Sequence, residues 1–506
     1  MNQNSSLVKL SSLLAGIKEV SAADDLNVSG LAIDCRDIIA GDLFIALPGT
    51  RQHGNDYIEA AVKQGAVAVI YDADSNLPEN IHTRPGDDVP LIKISNIVKW
   101  AGVIASRFYG EPSRVMTVTG ITGTNGKTTC SILLAQGFNH LGVRAGVIGT
   151  LGSGLWGEIQ PSALTTPDAV TLQRQMSDLR GLGVVQLLME VSSHALQQGR
   201  GSGTEFNTGI FTNLSQDHLD YHGNMQRYGA AKARLFYQNN LNLAVINIDD
   251  EFGRELLAGS IQAEKIISYG INNGDVRASQ ITLHEAGIKF DIDSPWGGLQ
   301  LDSSLMGRFN VYNLLACAAV LLSKGYGASD VASALSAAES AAGRMECFVS
   351  QGVTVVVDFA HTPDALQQVL IALREHIQAR RLICVFGCGG DRDRAKRPIM
   401  GRIAAQLADV VIITDDNPRD EDPTEIRADI IAGIMASTQK TPLEIADRRQ
   451  AINAAWQLAD QGDIILIAGK GHEATQQIGD LKIPFSDRGV VSDLLYGVSG
   501  TAGEQA

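Results

Sequence analysis

A chain of 506 residues is too long for a single hydrophobic core, so we expect about two to four domains. Its formal net charge of −15 disfavours nucleic acid or an anionic membrane as the main partner. The six cysteines include no C-x-x-C pair, and no apolar run approaches the length of a membrane span. No signal peptide is evident, so we expect a cytoplasmic protein with free thiols and no membrane insertion.

The first predicted domain covers residues 1–112 and has the pattern of a small α/β fold. Short apolar runs predict strands at Leu43–Leu47, Ala66–Tyr71 and Leu91–Ile94, with a helix at Tyr57–Lys63. The polar loop Pro48–Gly54 follows the carboxyl end of the first strand, where α/β folds hold ligands. The residues alone leave a ligand loop and an ordinary connection equally open.

The second predicted domain covers residues 113–345 and opens with the sequence VMTVTGITGTNGKTTC. Alternating β-branched residues predict a strand at Val115–Thr119, followed by a glycine-rich loop and a helix. In this context Lys127 would reach the terminal phosphates of a nucleotide, and the Thr128 hydroxyl would hold Mg²⁺. The spacing is unusual, because Ile121 stands where a phosphate loop has its first glycine. A simple glycine-rich turn is the alternative, and the strand–loop–helix context favours nucleotide binding.

Strands and helices alternate along the rest of this domain, which predicts a mostly parallel, doubly wound sheet. The further strands are predicted at Ala145–Ile148, Val184–Val191, Gly209–Thr212 and Ala244–Ile248. Helices are predicted at Ala169–Leu179 and Val311–Leu322. Between them, the polar and apolar alternation of Val276–Ser303 predicts a small antiparallel sheet.

The third predicted domain, residues 346–506, contains four apolar strands that each run into a polar or glycine-rich cluster. The strands are Val353–Val357, Leu382–Phe386, Val410–Thr414 and Ile464–Ala468. The clusters are Asp358–Asp364, Gly387–Asp393, Asp415–Arg419 and Gly469–Glu473. Helical segments intervene, one of them capped by Thr362 with Pro363 in its first turn. Such strands are expected to be parallel, and the carboxyl ends of parallel strands form the ligand edge of an open α/β sheet.

The polar residues of the second domain permit more than one kind of site. Glu190 is either a metal ligand or a buried acid paired with a basic residue, and His218 is either a metal ligand or a loop histidine that caps a helix. From the residues alone, Lys232 is expected to be a solvent-exposed lysine on a helix. His218 and His222 form an H-x-x-x-H pair, but no helix is evident there and no glutamate lies between them, so zinc is disfavoured.

Five motifs in fixed order resemble those of the Mur ligases, the ATP-dependent enzymes of peptidoglycan precursor synthesis. The motifs are Thr122–Thr129, Glu190–His194, Asp217–Asp220, Asp416–Arg419 and Gly469–Glu473. The last two motifs are similar to those of the subgroup of Mur ligases that adds the third residue of the stem peptide. The resemblance covers the whole chain. It implies an α/β protein of three domains, with a central P-loop ATPase-like sheet between an N-terminal substrate domain and a C-terminal Rossmann-like domain.

The resemblance also implies the reaction and its partners. These are an ATP-dependent ligation of meso-diaminopimelate to a UDP-muramoyl dipeptide through an acyl phosphate, with Mg²⁺ as cofactor. Separately from the resemblance, we expect a monomer. ATP would contact Gly123, Thr124, Asn125, Gly126, Lys127, Thr128, Thr129, Asn310, Asn313, Arg344 and Asp358, with His361 nearby. The UDP-muramoyl dipeptide would contact Ile33, Cys35, Thr50, Arg51, Gln52, Thr165, Thr166, Ser192, Gln198 and Arg200. Diaminopimelate would contact Arg392, Asp416, Asn417, Pro418, Arg419, Gly469 and Glu473.

The catalytic residues that the resemblance implies are Lys127, Glu190, His218 and Lys232. Lys232 would be carbamylated by CO₂, and the carbamate would join Thr128, Glu190 and His218 as Mg²⁺ ligands. For Arg392 and Arg419 the alternative is pairing with nearby aspartates such as Asp391 and Asp420. Two other functions are possible for the chain: a folylpolyglutamate synthase-like ligase and a non-catalytic nucleotide-binding regulator. The N-terminal domain and Asp416–Arg419 disfavour the first, and the joint presence of Glu190, His218 and Lys232 disfavours the second.

Overall fold

The computed structural model describes residues 7–49, 52–73, 89–162, 164–238, 241–259, 261–284, 287–376, 380–438 and 440–497. The chain divides into two compact units, Met1–Ile267 and Ser268–Ala506. This division falls inside the predicted middle domain, and the boundaries near residues 112 and 345 stay a prediction. Thr50 and Arg51, both predicted to contact the uridine diphosphate, lie outside the described residues. Among the described helices, none has the length and apolar character needed to cross a bilayer.

The amino-terminal part of the first unit is a four-stranded parallel sheet with helices on both faces. Its elements are β1 (Val8–Lys9), α1 (Leu10–Leu13), β2 (Asn27–Val28), β3 (Gly30–Ala32), β4 (Asp42–Ala46), α2 (Ile58–Lys63), β5 (Ala68–Asp72), β6 (Leu91–Ile94) and α3 (Ile97–Phe108). The sheet order is β3-β4-β5-β6, and every neighbouring pair is parallel. All of β4 is buried, because apolar clusters pack on both faces. The three predicted strands and the predicted helix are confirmed, with small shifts of their ends.

The larger part of the first unit is the predicted parallel sheet. Its strands are β7 (Thr117–Thr122), β8 (Ala145–Gly149), β9 (Gly152–Leu155), β10 (Glu158–Gln160), β11 (Gln186–Glu190), β12 (Thr208–Phe211) and β13 (Leu241–Asn247), after which β14 (Ala263–Gly270) crosses into the second unit. Its helices are α4 (Lys127–His140), α5 (Ala169–Gly181), α6 (Ser193–Gln197), α7 (Leu219–His222), α8 (Met225–Ala233) and α9 (Glu251–Ala258). The order β8-β11-β7-β12-β13 is parallel throughout, which confirms the doubly wound prediction.

Three details of this region differ from the prediction. The strand expected from Val115 begins at Thr117, because Pro112–Arg114 forms a 3₁₀ turn and Val115 caps it with 67% of its surface exposed. The residues after His218 do form a helix, the single turn α7. The antiparallel strands β9 and β10 extend the sheet beyond β8, where short glycine-containing sequence gives no strand pattern.

The second unit combines an antiparallel meander with a mainly parallel sheet. Its first elements are β15 (Val276–His284), β16 (Gly287–Asp293), β17 (Leu299–Ser303), α10 (Phe309–Ser323) and α11 (Ala328–Ser336). The later elements are β18 (Glu346–Ser350), β19 (Val353–Asp358), α12 (Pro363–His376), β20 (Leu382–Phe386), α13 (Lys396–Leu407), β21 (Val410–Ile413), α14 (Pro423–Met435), β22 (Leu443–Glu444), α15 (Arg448–Leu458), β23 (Ile464–Ala468), β24 (Thr475–Ile478), β25 (Leu481–Pro484) and α16 (Asp487–Tyr496).

The predicted arrangement of these strands is confirmed. Strands β15, β16 and β17 pair antiparallel. The later sheet has the order β18-β19-β23-β20-β21-β22, in which β18 is an antiparallel edge strand and the other pairs are parallel. Two apolar clusters cover its faces, and Leu366, Val369, Leu370 and Leu373 of α12 contribute to one of them. The Thr362 hydroxyl caps α12 by accepting from the Ala365 N–H at 3.3 Å.

A fully buried ion pair joins two helices of the second unit. Arg448 Nε and Nη2 donate to Asp487 Oδ1 and Oδ2 at 2.7 and 2.8 Å, and both side chains are 0% exposed. Removing one partner leaves an uncompensated buried charge, so we expect Arg448→Met to destabilise this unit by roughly 3–5 kcal/mol. Thermal and urea unfolding followed by tryptophan fluorescence measure the loss.

The double variant Arg448→Met/Asp487→Leu provides the control for this prediction. It replaces both charges with apolar groups, and we expect it to recover most of the lost stability. An Arg448→Met variant with an unchanged unfolding midpoint would contradict the prediction.

Candidate active site

The glycine-rich loop between β7 and α4 is shaped by contacts with the segment that follows β12. Gly123 has a φ of 152°, and a Cβ placed there would lie 1.9 Å from Thr212 Oγ1, so the position has no room for a side chain. The Thr124 N–H donates to the Asn213 carbonyl at 2.8 Å, and the Asn125 N–H donates to Asn213 Oδ1 at 2.9 Å. These contacts fix the loop at the amino-terminal end of α4, where backbone N–H groups and the helix dipole favour an anion.

The lysine predicted to bind phosphate folds back over this loop. Lys127 Nζ donates to the carbonyls of Gly123 at 2.9 Å and Thr124 at 2.7 Å. Its ammonium group therefore lies at the amino-terminal end of a helix, where the terminal phosphates of a nucleotide would bind. The other predicted phosphate-loop residues belong to the same turn and to the start of α4; they are Asn125, Gly126, Thr128 and Thr129.

Glu190, at the carboxyl end of β11, receives hydrogen bonds from two neighbouring segments. Its Oε2 accepts from the Thr128 hydroxyl at 2.9 Å and from the Thr150 hydroxyl at 3.0 Å. Its Oε1 accepts from the Thr150 N–H at 2.8 Å, and the residue is 1% exposed. No described basic side chain forms an ion pair with Glu190, so the alternative of a buried acid paired with a base is wrong.

Thr128 and Glu190 together provide the oxygen ligands that Mg²⁺ prefers. In the part of the chain that the structure describes, no group of three or more His, Cys, Asp or Glu side chains is placed to hold a metal ion. Two protein oxygen atoms suit Mg²⁺, which takes its other ligands from water and from nucleotide phosphates.

Lys232 on α8 is buried beneath the glycine-rich loop and is 1% exposed. Its Nζ donates to the Gly123 carbonyl at 2.7 Å and lies 4.4 Å from the centre of the Tyr228 ring. Burial, helped by the positive charge of Lys127, lowers the pKa of Lys232 well below its usual value. The expectation of a solvated helix lysine is therefore wrong.

Tyr228 connects this lysine with the loop and with His218. Its hydroxyl lies 3.2 Å from Thr124 Oγ1, and its ring centre lies 6.1 Å from that of His218. His218 precedes α7 with a φ of 53°, and its side chain is 48% exposed. The structure thus places His218 and Lys232 near one buried tyrosine, whose hydroxyl contacts the glycine-rich loop.

Several residues predicted to contact the muramoyl dipeptide are linked to Glu190. The buried Thr166 hydroxyl donates to the Glu190 carbonyl at 2.8 Å and accepts from the Ser192 N–H at 3.1 Å. The Thr165 hydroxyl lies 3.1 Å from that of Thr150, which itself bonds the Glu190 carboxylate. The Thr166 hydroxyl is therefore satisfied as donor and acceptor. The Ser192 hydroxyl accepts from the Ala195 N–H at 3.1 Å, so its own proton is what it can offer a ligand.

Two more of the predicted residues extend this cluster. Arg200 donates to the Thr166 carbonyl and to Gln198 Oε1, both at 2.9 Å. Gln198 in turn donates to the Tyr221 hydroxyl at 2.9 Å. The predicted set Thr165, Thr166, Ser192, Gln198 and Arg200 is therefore brought together in one hydrogen-bonded group beside Glu190.

The predicted uridine diphosphate residues that are described lie at one edge of the amino-terminal sheet. Ile33 and Cys35 follow β3, and Gln52 follows β4, the parallel neighbour of β3. Ile33 and Cys35 are half-buried against the two apolar clusters, whereas Gln52 is exposed and accepts at its carbonyl from the Gly49 N–H at 3.1 Å. These residues therefore lie at the carboxyl ends of neighbouring parallel strands, where α/β folds hold ligands, and their contact with uridine diphosphate stays a prediction.

In the second unit the residues predicted to contact adenine are buried at the start of α10. Asn310 Nδ2 donates to the Met306 carbonyl at 2.7 Å, and Asn313 Nδ2 donates to Asn310 Oδ1 at 2.8 Å. The two amides therefore hold each other in fixed orientations. His361 lies elsewhere in this unit, exposed beyond β19, with Nδ1 2.8 Å from the Phe359 carbonyl.

Arg344 and Asp358 lie near the end of β19. The Arg344 guanidinium lies 4.7 Å above the Phe359 ring. Asp358 accepts from the N–H groups of Met345 at 2.7 Å and Ala360 at 2.8 Å. Burial raises the pKa of Asp358, and the positive charge of Arg344 opposes that shift. The two predicted residues are therefore close enough for the charge of Arg344 to act on the Asp358 carboxyl group.

The residues predicted to bind diaminopimelate follow three neighbouring parallel strands. Arg392 follows β20, the group Asp416, Asn417, Pro418 and Arg419 follows β21, and Gly469 and Glu473 follow β23. Because β23, β20 and β21 are adjacent and parallel, their carboxyl ends meet at one edge of the sheet. The prediction that these clusters share one edge of a parallel sheet is confirmed, and the binding of a ligand there stays a prediction.

The two arginines of this group flank one glycine. A Cβ placed on Gly389 would lie 3.0 Å from Arg419 Nη1 and 3.9 Å from Arg392 Cγ. Arg419 has a φ of 52°, and its Nη1 donates to the Gly390 carbonyl. Neither guanidinium pairs with a carboxylate of the described residues, so the alternative of pairing with neighbouring aspartates is wrong. Both charges remain available to an anionic ligand.

Asp416 supplies a buried carboxylate beside Gly469. The residue is 8% exposed, and burial raises its pKa while the charges of Arg448 and Lys470 oppose that shift. Gly469 has a φ of 120°, and a Cβ there would lie 2.5 Å from Asp416 Oδ2. Any side chain at this position would therefore collide with the carboxylate, which explains the glycine.

Sequence reasoning did not identify several residues that organise these sites. Thr150 bonds Glu190 twice, Tyr228 connects the loop with Lys232, and Lys470 contacts both Asn417 and Glu473. Thr150 directly follows a buried strand, and Lys470 lies inside a cluster that had been recognised. Position at the carboxyl end of a strand was thus the available signal for two of the three.

Three family models match consecutive stretches of the chain. Residues 27–109 match "Mur ligase family, catalytic domain", residues 121–321 match "Mur ligase middle domain", and residues 343–471 match "Mur ligase, glutamate ligase domain". The three matches follow one another in the order of the three predicted domains.

Curated relatives match nearly the whole chain. The UDP-N-acetylmuramoyl-L-alanyl-D-glutamate–2,6-diaminopimelate ligase of Ectopseudomonas mendocina (strain ymp) is 45% identical over 92% of this chain and 95% of its own. The protein of the same name from Pseudomonas aeruginosa (strain PAO1) is 45% identical over 92% of this chain and 94% of its own.

Solved structures show the same architecture. A structure of a UDP-N-acetylmuramoyl-L-alanyl-D-glutamate–2,6-diaminopimelate ligase is 35% identical with a TM-score of 0.72, and the alignment covers 98% of this chain and 100% of that one. A folylpolyglutamate synthase of Mycobacterium tuberculosis, complexed with ADP and AMPPCP, is 20% identical with a TM-score of 0.60. That alignment covers 72% of this chain and 91% of the synthase, and it shows a shared fold alone.

Proposed function

Because the chain belongs to the Mur ligase family, we propose that it is an ATP-dependent ligase that adds meso-2,6-diaminopimelate to UDP-N-acetylmuramoyl-L-alanyl-D-glutamate. The observation that carries this proposal lies at one sheet edge of the second unit, where two arginines that pair with no carboxylate of the described residues lie beside one glycine. Relatives 44–45% identical over most of the chain bear the name of that activity.

The chemistry requires a carboxylate to be activated before an amine can attack it. ATP achieves this by transferring its γ-phosphoryl group to the carboxylate of the dipeptide, which gives an acyl phosphate and ADP. The diaminopimelate amine then attacks the acyl carbon, the amide bond forms, and phosphate leaves. Several anions must approach one another in the first step, so positive charge has to neutralise them.

The first unit holds the groups suited to that neutralisation. Lys127 places an ammonium group over the loop at the amino-terminal end of α4. Thr128 and Glu190 would hold Mg²⁺, which supplies positive charge to the transferring phosphoryl group and fixes its orientation. Thr150 holds the Glu190 carboxylate in place from the other side.

We assign a carbamate to Lys232 on the basis of its surroundings. The amine is buried, donates to one backbone carbonyl, and has no carboxylate partner among the described residues. Only the neutral amine attacks CO₂, and the lowered pKa of Lys232 increases that form. Carbamylation converts the cation into an anionic oxygen ligand, which with Glu190 and His218 would hold a second Mg²⁺.

The second unit would bind adenine and the incoming amino acid. Asn310, Asn313, Arg344 and Asp358 form the first set, and the residues after β20, β21 and β23 form the second. The residues after β3 and β4 in the first unit would hold the uridine diphosphate. We expect a monomer in the cytoplasm, where ATP is plentiful and the free cysteines of the described chain stay reduced.

The direct test is a ligation assay with the purified protein. We expect ADP release only when the UDP-muramoyl dipeptide is present, and a matching tripeptide when meso-diaminopimelate is added, because the amine consumes the activated carboxylate. An enzyme-coupled assay measures the ADP released, and mass spectrometry measures the tripeptide product.

Omission of the dipeptide, and its replacement by a folate substrate, are the controls. Ligation of glutamate to the folate would favour a folylpolyglutamate synthase activity, and ATP hydrolysis without any tripeptide from a panel of amines would contradict the proposal. The Asp416–Arg419 motif and the 45% relatives argue against the folate activity.

A further inference from the structure

Lys470 is a fully buried charge at the proposed amino-acid site, and no role has been assigned to it so far. Its side chain is 0% exposed. Its Nζ donates to Asn417 Oδ1 at 3.0 Å and to Glu473 Oε2 at 2.8 Å. A buried ammonium group must be satisfied by acceptors, and these two side chains both belong to the predicted diaminopimelate site.

The contacts of Asn417 fix which way its amide group points. Oδ1 accepts from Lys470 Nζ and also from the Gln477 N–H at 2.9 Å. Both partners are obligate donors, so the oxygen must face them and the NH₂ group must point the other way. One N–H of Nδ2 then donates to Glu473 Oε2 at 2.9 Å. The second has no partner among the described residues, so it is available to a ligand acceptor.

Lys470 also affects the hydrogen bonding and ionisation of the Glu473 carboxylate. Oε2 accepts from both Lys470 and Asn417, while Oε1 forms no hydrogen bond with the described residues. Burial raises the pKa of Glu473, but the hydrogen bonds from Lys470 and Asn417 and the charges of Lys470 and His472 together outweigh it, and the net pKa is lowered. The side chain is 33% exposed, so an ionised oxygen remains available to a cationic group.

From this geometry we propose that Lys470 is a positioning residue that sets the polarity of the amino-acid site. It makes Asn417 present an N–H donor and Glu473 present an ionised acceptor. A donor beside an anionic acceptor matches the carboxylate and ammonium groups at one end of a free amino acid. Without Lys470, the Asn417 oxygen keeps only the Gln477 N–H as its donor, so the amide is held less firmly and presents its N–H to a carboxylate less reliably. The inference rests on the proposed function, since it assumes an amino acid as the second substrate.

The test compares unmodified protein with Lys470→Met, which keeps the length of the side chain and removes its charge and donors. We expect the KM for meso-diaminopimelate to rise roughly 10- to 100-fold, because a charge-assisted contact is lost while the Gln477 N–H still favours one amide orientation. The KM for ATP should stay unchanged. Lys440→Met is the matched control, because the Lys440 Nζ donates to the Ala405 and Ala408 carbonyls near the end of α13, away from the proposed amino-acid site.

A double-mutant cycle separates positioning from a general effect on folding. If Lys470 acts through Asn417, its replacement in an Asn417→Ala background should raise the KM by much less than it does alone. Lys470→Gln retains one donor and should restore part of the affinity. This variant also serves as the test protein if Lys470→Met does not fold.

The outcomes distinguish this inference from the function on which it rests. Unmodified protein that makes no tripeptide from diaminopimelate overturns the proposed function. Normal ligation with an unchanged KM in Lys470→Met overturns the inference alone. Equal losses in the presence and absence of the Asn417 amide also overturn it, since Lys470 would then act independently of that group.

Discussion

Replacing Lys232 by alanine is expected to abolish nearly all turnover, although the residue lies outside the glycine-rich loop. The side chain is buried beneath that loop, with Nζ 2.7 Å from the Gly123 carbonyl and 4.4 Å from the centre of the Tyr228 ring. If it carries a carbamate, the substitution removes an anionic metal ligand and leaves His218 and Glu190 without their partner. Tripeptide formation under saturating substrates measures the loss.

The control for this prediction is Lys63→Ala, which removes an exposed lysine paired with Glu59 and should leave the rate unchanged. Short carboxylic acids should restore part of the Lys232→Ala rate by supplying the missing oxygen ligand. Carbon-13 NMR in labelled bicarbonate gives a second readout, since the unmodified protein should show a carbamate signal that the variant lacks. A Lys232→Ala enzyme with a near-normal rate would contradict the assignment.

The strands that sequence predicts best are those with continuous apolar runs and polar ends. Strands β20 and β23 begin and end where they were predicted, because both are buried on two faces and each stops at a polar cluster. The edge strand β18 and the hairpin β24–β25 were not predicted. Their residues are partly or fully exposed and lack an alternating pattern, and the hairpin leaves Leu481 70% exposed.

In the candidate sites too, features that depend on local sequence could be predicted, whereas contacts between distant segments could not. Residues at the carboxyl ends of strands could be found from the order of strands and clusters, which depends only on topology. The double contact of Thr150 with Glu190 joins residues 40 apart, and the contact of Lys470 with Asn417 joins residues 53 apart. Such pairs depend on the packing of separate elements, so no local pattern indicates them. The burial of Lys232 likewise arises from packing under the loop.

Selection of meso-diaminopimelate over lysine is the second large effect expected of this protein. The two amino acids differ at the far end of the side chain, where diaminopimelate carries an additional carboxylate. A site that selects it needs a cation at that point, and an arginine can grip a carboxylate with two parallel hydrogen bonds. Arg419 has no carboxylate partner among the described residues, and Pro418 restricts the backbone just before it.

The expected size of this preference follows from the contact that lysine cannot make. With lysine bound, Arg419 would face no anion, and losing such a charge-assisted pair costs roughly 2–5 kcal/mol. We therefore expect kcat/KM for meso-diaminopimelate to exceed that for lysine by at least about a hundredfold. Ligation assays with each amino acid at several concentrations measure the ratio.

Arg419→Ala should lose most of that preference, chiefly through a higher KM for diaminopimelate, while the KM for ATP stays unchanged. Arg449→Ala is the matched control, because Arg449 is an exposed arginine of the same unit whose ion pair is with Asp493. Since Arg392 lies beside the same glycine, Arg392→Ala should weaken binding of both amino acids if it contacts the part that they share. Equal efficiencies with lysine and diaminopimelate in the unmodified enzyme would refute the role of Arg419, whatever the variants show.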